Sequence, residues 1–250
     1  MRPNRLREMW KAGKRANNCW LGIPSAHSAE IMAHQGWDSI LIDMQHSPVD
    51  NAAAYAMLVA ISTTDAVPLV RVPWNEPGTI MRVLDYGAYG VMCPTIETVE
   101  ECERFVGAAR YAPMGYRSVA PGRAALYGGQ DYLSKANETI LTIAQIETKR
   151  GLENVEAIAR VPGLDMLFVG PSDLGLSLGR DAKADQTDPV VVAAIDRIRT
   201  TAHAAGIRAG IWCASADYGL AMMKSGFDLV TVLTDTVWLA QAAAVRAKFA

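Results

Sequence analysis

The chain has 250 residues, half of them hydrophobic, with a formal net charge of −2 at pH 7. That supports one large domain or two small ones with a core needing no disulfide staples, and the scattered basic residues exclude the basic stripe of a nucleic-acid binder. The four cysteines (Cys19, Cys93, Cys102, Cys213) show no CxxC spacing, the basic start is followed by no apolar run, and no segment approaches the roughly 20 apolar residues that span a bilayer. These features describe a soluble, cytoplasmic protein with no membrane partner.

Residues 5–16 read as a short amphipathic helix with Leu6, Met9 and Trp10 on one face. Cys19 to Gly22 is a brief strand ending at Ile23-Pro24. Ser28 to Gln35 is helical and stops at Gly36. Ser39 to Ile42 is a continuous apolar strand of the kind buried on both faces of a parallel sheet, and it delivers Asp43-Met44-Gln45-His46. Asp50 caps a helix to about Ser62. Val67 to Val72 is a strand with Arg71 near its end. Pro77 opens a helix to about Tyr86, stopped by Gly87. Gly90 to Cys93 is a strand ending at Pro94, and Thr98 to Arg110 is a helix with acids in its first turns.

From Ala112 to about Gly129 the periodicity vanishes, and a loop that long inside a compact domain is usually functional or disordered. Asp131 to Asn137 is a short helix. Leu141 to Ile146 is a strand ending at Glu147, a helix lies over roughly Arg150 to Arg160, and Met166 to Val169 is a strand passing through Gly170-Pro171 into Ser172-Asp173. Asp188-Pro189 opens a helix through Ala205. Arg208 to Trp212 is a strand, Ala216 to Lys224 a helix, Leu229 to Leu233 a strand, and Val237 to Phe249 an Ala-rich helix. Outside Trp20 and Trp212, the Met and Trp residues read as core.

Strands alternating with helices over this length, with no break in composition, imply an α/β fold: a closed (β/α)8 TIM barrel or an open doubly wound sheet. No GxGxxG turn follows the first strand, which favours the barrel, as one domain over residues 1–250. Parallel strands open on one face, so Glu147 and Asp173 fall side by side at the C-terminal edge, where barrel enzymes place their chemistry. Two carboxylates with little positive charge nearby repel, and a divalent cation relieves that. The plainer alternative makes Glu147 a loop carboxylate and Asp173 a helix cap.

Gln45 and His46 after the second strand and Arg71 after the third reach the same edge, and Asp85 joins them if its loop folds over. Arg71 can pair bidentately with a substrate carboxylate, and His46 can serve as a general base. Both also have ordinary readings, as an ion pair and as a structural histidine. The set suits proton removal, or carbon–carbon cleavage, next to a keto acid.

The segments DMQHSP (43–48), VRVPWNEP (70–77), LDYGAYGVMCP (84–94), YAPMGYRSV (111–119), QIET (145–148) and FVGPSDL (168–174) together resemble the HpcH/HpaI aldolase family of metal-dependent pyruvate aldolases, in the phosphoenolpyruvate/pyruvate superfamily. The resemblance runs from about Cys19 to the last helix. It implies a (β/α)8 barrel holding Mg2+ or Mn2+, with Co2+ or Zn2+ as alternatives, on Glu147 and Asp173. It implies that Arg71 polarises the keto oxygen, and that His46, aided by Asp85, is the acid/base group. The backbone around Gly170, Ser172 and Asp173 receives the substrate carboxylate, with Gln145, Gln45, Trp20 and Trp212 completing the substrate site.

The implied reaction cleaves 4-hydroxy-2-oxo acids to pyruvate or hydroxypyruvate and an aldehyde through a metal-stabilised enolate. The implied assembly is a homo-oligomer, often a hexamer, whose last helix is exchanged between subunits. Many members carry Glu where this chain has Gln45, and Trp212 is bulkier than the aliphatic residue expected there. Two other functions remain open. A citryl- or malyl-CoA-type lyase would need Arg117 and Arg123 for the CoA phosphates. A catalytically silent, small-acid-binding barrel would need no base.

Overall fold

Eight short apolar runs, each buried along nearly its whole length, form the strands, as a parallel sheet covered on both faces requires. They are β1 Ala16–Leu21, β2 Ser39–Asp43, β3 Val67–Arg71, β4 Gly90–Cys93, β5 Leu141–Ile146, β6 Met166–Val169, β7 Arg208–Cys213 and β8 Leu229–Val232. In the computed structural model, which describes residues 1–246 and 249, each strand pairs in parallel with the next and β8 returns to β1, closing the barrel. The expected (β/α)8 barrel is therefore the fold.

Helices lie between consecutive strands, and several carry side-chain caps legible in the sequence. Thr98 and Glu101 form a reciprocal capping box on Val99–Ala109. Glu76 caps Pro77–Asp85, whose proline occupies the first turn, where a missing N–H costs nothing. Inside the barrel, Gly210 on β7 makes room for its neighbour: a Cβ there would collide with the ring of Phe168 on β6. At the N-terminal end, Asn18, Ser39 and Thr231 hydrogen-bond one another across β2, β1 and β8 with no exposure. These bonds satisfy polar groups that would otherwise be costly to bury.

The N-terminal helix packs against that end. Leu6 is fully buried, Trp10 donates its indole N–H to the Asp228 carbonyl, and Arg7 donates to the carbonyls of Thr139 and Ile140 and to Asp165. Among the described residues no helix is long and apolar enough to cross a membrane.

Several elements depart from the sequence reading. The first helix covers only Arg5–Lys11, because Gly13 turns the chain at φ +70° and Ala16 already pairs with Leu229. The segment 150–160 is two short helices, Lys149–Glu153 and Val155–Ile158, divided at Asn154. The stretch 112–129 is not all loop: Gly122–Gly128 is helical, tied down by Arg123 donating to the Tyr86 carbonyl and to Ser62 Oγ. Trp74 and Met114 are 60% and 54% exposed, so neither is core. The last helix starts at Asp235 and is described to Arg246; residues 247 and 248 of the expected helix lie outside the described residues.

Candidate active site at the C-terminal edge of the barrel

Strand register assembles the site. Asp43 and Arg71 are paired positions on β2 and β3, and each ends its strand. Arg71 donates Nε to Asp43 Oδ1 at 2.9 Å and Nη2 to Oδ2 at 2.6 Å, a bidentate pair 4% and 7% exposed. The guanidinium carbon lies 4.6 Å from the Trp20 ring centroid, and that ring lies 6.0 Å from Phe168. Burial pushes the Asp43 carboxyl up; the Arg71 bonds and charge, the Gln45 N–H and Trp20 outweigh it and hold the group below the usual carboxylate range.

Asp43 thus occupies the Nε/Nη2 edge of Arg71. The ion-pair reading of Arg71 is therefore the one found, and only its end-on edge is left for a substrate.

Gln145 and Glu147 stand two residues apart at the end of β5, on the same side of the chain. The Gln145 amide donates to Glu147 Oε2, and Thr95, just past β4, donates both its N–H (2.9 Å) and its hydroxyl (3.0 Å) to Oε1. A Cβ at Gly170 would strike the ends of the Glu147 and Gln145 side chains, so a larger residue at the exit of β6 would have to displace both. Glu147 is 5% exposed. Burial raises its pKa, Thr95 opposes, Asp173 adds to the rise, and Gln145 and Arg71 lower it. Arg71 supplies what positive charge acts on Glu147, and its effect is smaller than that of burial.

Asp173 lies in the first turn of Pro171–Ser177, a helix with no side-chain cap. Its turn and Glu147 border one cavity of about 450 Å3 together with Gln45, His46 and Thr95. A second cavity of about 310 Å3 is lined by Trp20, Arg71, Gln145, Gly170, Ser172 and Trp212, among others. His46 and Asp173 border both cavities. Gln45 Oε1 and Gln145 Oε1 are buried without a hydrogen-bond partner among the described residues, and such atoms are rare unless a polar ligand or water serves them.

The donor set is all oxygen. Among the described residues no three His, Cys, Asp or Glu side chains gather as a complete metal cage. Two carboxylates with remaining positions open fit Mg2+ or Mn2+, which bind through one or two carboxylates, water and substrate oxygens. They fit Zn2+ poorly, since it favours nitrogen and sulfur.

Ten of the eleven residues singled out from sequence thus border or face these cavities: Trp20, Gln45, His46, Arg71, Gln145, Glu147, Gly170, Ser172, Asp173 and Trp212. Asp85 does not join them within its chain. It ends the helix that runs back from β3, so it lies at the opposite edge of the barrel, where Arg117 Nη2 bonds it at 2.6 Å. Asp43 and Thr95 were missed. Asp43 directly follows the β2 apolar run, and counting register against Arg71 would have found it. Thr95 gives no sequence signal, because its role depends on a turn conformation.

A family model described as HpcH/HpaI aldolase/citrate lyase matches residues 17–241. A hydroxypyruvate/pyruvate aldolase of Rhizorhabdus wittichii is 41% identical over 240 residues, 96% of each chain. A 5-keto-4-deoxy-D-glucarate aldolase of Shigella boydii is 38% identical over 211 residues, 84% of this chain and 81% of the relative. The crystal structure of a HpcH/HpaI aldolase/citrate lyase family protein from Burkholderia cenocepacia J2315 superposes with a TM-score of 0.91 at 36% identity, covering 98% of both chains.

Proposed function

Since the chain belongs to the HpcH/HpaI aldolase/citrate lyase family, we propose that it is a carbon–carbon lyase reversibly cleaving 4-hydroxy-2-oxo acids to pyruvate or hydroxypyruvate and an aldehyde. The supporting observation is the meeting, at one barrel edge, of an arginine held by a buried aspartate, a carboxylate pair and a histidine.

Glu147 and Asp173 hold the divalent cation, Mg2+ or Mn2+ by the donor argument above. When bound, that cation polarises the keto oxygen as a Lewis acid. The uncapped first turn of Pro171–Ser177 leaves the Ser172 and Asp173 N–H groups for the substrate carboxylate. The end-on edge of Arg71 donates to the keto oxygen and steadies the negative charge that develops there. His46, through a water, takes the proton from the C4 hydroxyl as the C3–C4 bond breaks. The bonding pair passes into the enolate of the keto acid, the C4 fragment leaves as the aldehyde, and a proton returned at C3 completes the cycle. Trp20, Gln145, Gln45 and Trp212 wall the substrate in.

A CoA-dependent lyase fits less well. Arg117 is buried against Asp85 and Tyr132, and Arg123 is spent on Tyr86 and Ser62, so neither is available for phosphates. We also propose a cytoplasmic homo-oligomer, a hexamer with the last helix exchanged between neighbours. Leu239 and Val245 on that helix, 63% and 57% exposed, support a partner surface.

The test measures pyruvate release from a 4-hydroxy-2-oxo acid before and after EDTA, in wild type, Glu147→Gln and Asp173→Asn. Activity should require added Mg2+ or Mn2+, and both variants should lose it with circular dichroism unchanged. Undiminished turnover of either variant in metal-depleted buffer refutes the assignment.

A further inference from the structure

Thr95 and Leu233 are the two non-glycine residues with positive φ among those described, at +52° and +60°. For Thr95 this is unusual, because a β-branched side chain crowds the backbone in the left-handed region. Such conformations persist only where the surroundings over-determine them. Here the turn after β4 is pinned to β5. Ile96 N–H donates to the Gln145 carbonyl at 3.1 Å, and Thr95 places its own N–H and its hydroxyl on one oxygen of Glu147.

A carboxylate on a flexible glutamate can rotate and swing. Three donors remove that freedom, two from Thr95 on Oε1 and one from Gln145 on Oε2. The Gly170 backbone lies close by, since a Cβ there would strike the same carboxylate. An ionised carboxylate has about four lone-pair sites, two on each oxygen, so Thr95 fills Oε1 and the single Gln145 bond leaves Oε2 a site for the cation.

We propose that Thr95 is a positioning residue that fixes Glu147 in the orientation needed to take a divalent cation, and that its strained backbone is retained for that purpose. This rests on the reading of Glu147 and Asp173 as the cation's protein ligands. Groups that orient metal ligands in this way typically change affinity 10–100-fold when removed.

The metal-free chain is titrated with Mn2+ by calorimetry, without keto acid. Thr95→Val keeps the branch and loses the hydroxyl, and should weaken Mn2+ binding by about tenfold. Thr95→Ser restores the hydroxyl and should bind within about threefold of wild type. Thr95→Gly accepts positive φ freely, so the metal-free variant should melt no lower than wild type while binding Mn2+ about tenfold more weakly. A merely structural threonine would move stability and affinity together.

Affinities within threefold of wild type in both the Val and Gly variants overturn the proposal, as does a Ser variant as weak as Val. If Val fails to fold, Gly decides alone, because it carries no left-handed strain. Glu147→Gln separates the two levels: unchanged Mn2+ affinity there refutes the ligand reading itself, whereas lost affinity beside unaffected Thr95 variants refutes only the role of Thr95.

Discussion

Asp43 and Arg71 face each other in register on β2 and β3, and two hydrogen bonds of 2.9 and 2.6 Å join them. The pair constrains how the guanidinium is presented: its Nε/Nη2 edge is locked to Asp43, and Arg71 lines the cavity with that edge already spent. Lysine keeps the charge but cannot serve both directions with a planar fork. Arg71→Lys is therefore expected to lose kcat/KM to within about tenfold of Arg71→Ala, and a fully active Lys variant would show that charge alone suffices. Arg71→Ala also strands a buried carboxylate, which costs about 3–5 kcal/mol, readable from urea unfolding.

The same pair predicts an acid dependence of stability. The folded Asp43 carboxyl is held below its ordinary range because the Arg71 bonds and charge overcome the effect of burial. A depressed carboxylate stabilises the folded state above its unfolded pKa, near 3.9, and that stabilisation is lost as pH falls through the folded value. Melting curves below about pH 4 should therefore fall more steeply for wild type than for Asp43→Asn, which starts lower and has no such group to protonate. Parallel curves would show that Asp43 does not carry this dependence.

His46 sits in the rim where both cavities meet. His46→Ala should lower kcat by about 10²–10⁴-fold, the usual contribution of a placed acid/base group. Mn2+ affinity should stay at the wild-type value. Loss of metal together with the imidazole would make His46 a ligand instead.

Trp212 and Gln45 are the two individual positions of the site. Trp212 lines the smaller cavity, and the buried Gln45 Oε1 has no partner among the described residues. An amide can both donate to and accept from a substrate hydroxyl, where a carboxylate could only accept. Wild type should favour hydroxypyruvate over pyruvate as nucleophile more than Gln45→Glu does, and Trp212→Leu should widen the aldehyde range. Identical preferences in all three proteins, measured as kcat/KM ratios, would remove both residues from specificity.

The strands were legible because a doubly buried parallel strand writes itself as an uninterrupted apolar run. Gly90–Cys93, Leu141–Ile146 and Met166–Val169 are found as read. Strand ends then located Arg71, Glu147 and Asp173, since a barrel sends every C-terminal edge to one face. The helix Gly122–Gly128 was hidden by the glycines and prolines around it, which erase a 3.6-residue period over only seven residues. Asp85 was misplaced for a different reason. Its neighbourhood in sequence says nothing of direction, and a helix returning from the catalytic edge carries its last residue away from it. Asp43 required register between two strands, and Thr95 a backbone dihedral, and neither is written in residue type.

The seam between β1 and β8 joins residues such as Asn18 and Thr231, which are more than two hundred positions apart, and Asp235 then accepts the N–H groups of Gly22 and Ile23. During synthesis the first strand therefore waits for the last one. Until β8 leaves the ribosome, β1 has an unpaired edge, and the Gly22 turn beside the substrate cavity lacks its anchor. Closure over so long a span is entropically slow, and exposed strand edges in the interval invite pairing with other chains. Production of this enzyme should thus be most sensitive to changes along the seam, at positions far from any substrate, where the harm would appear as insoluble protein while the molecules that do close retain full turnover.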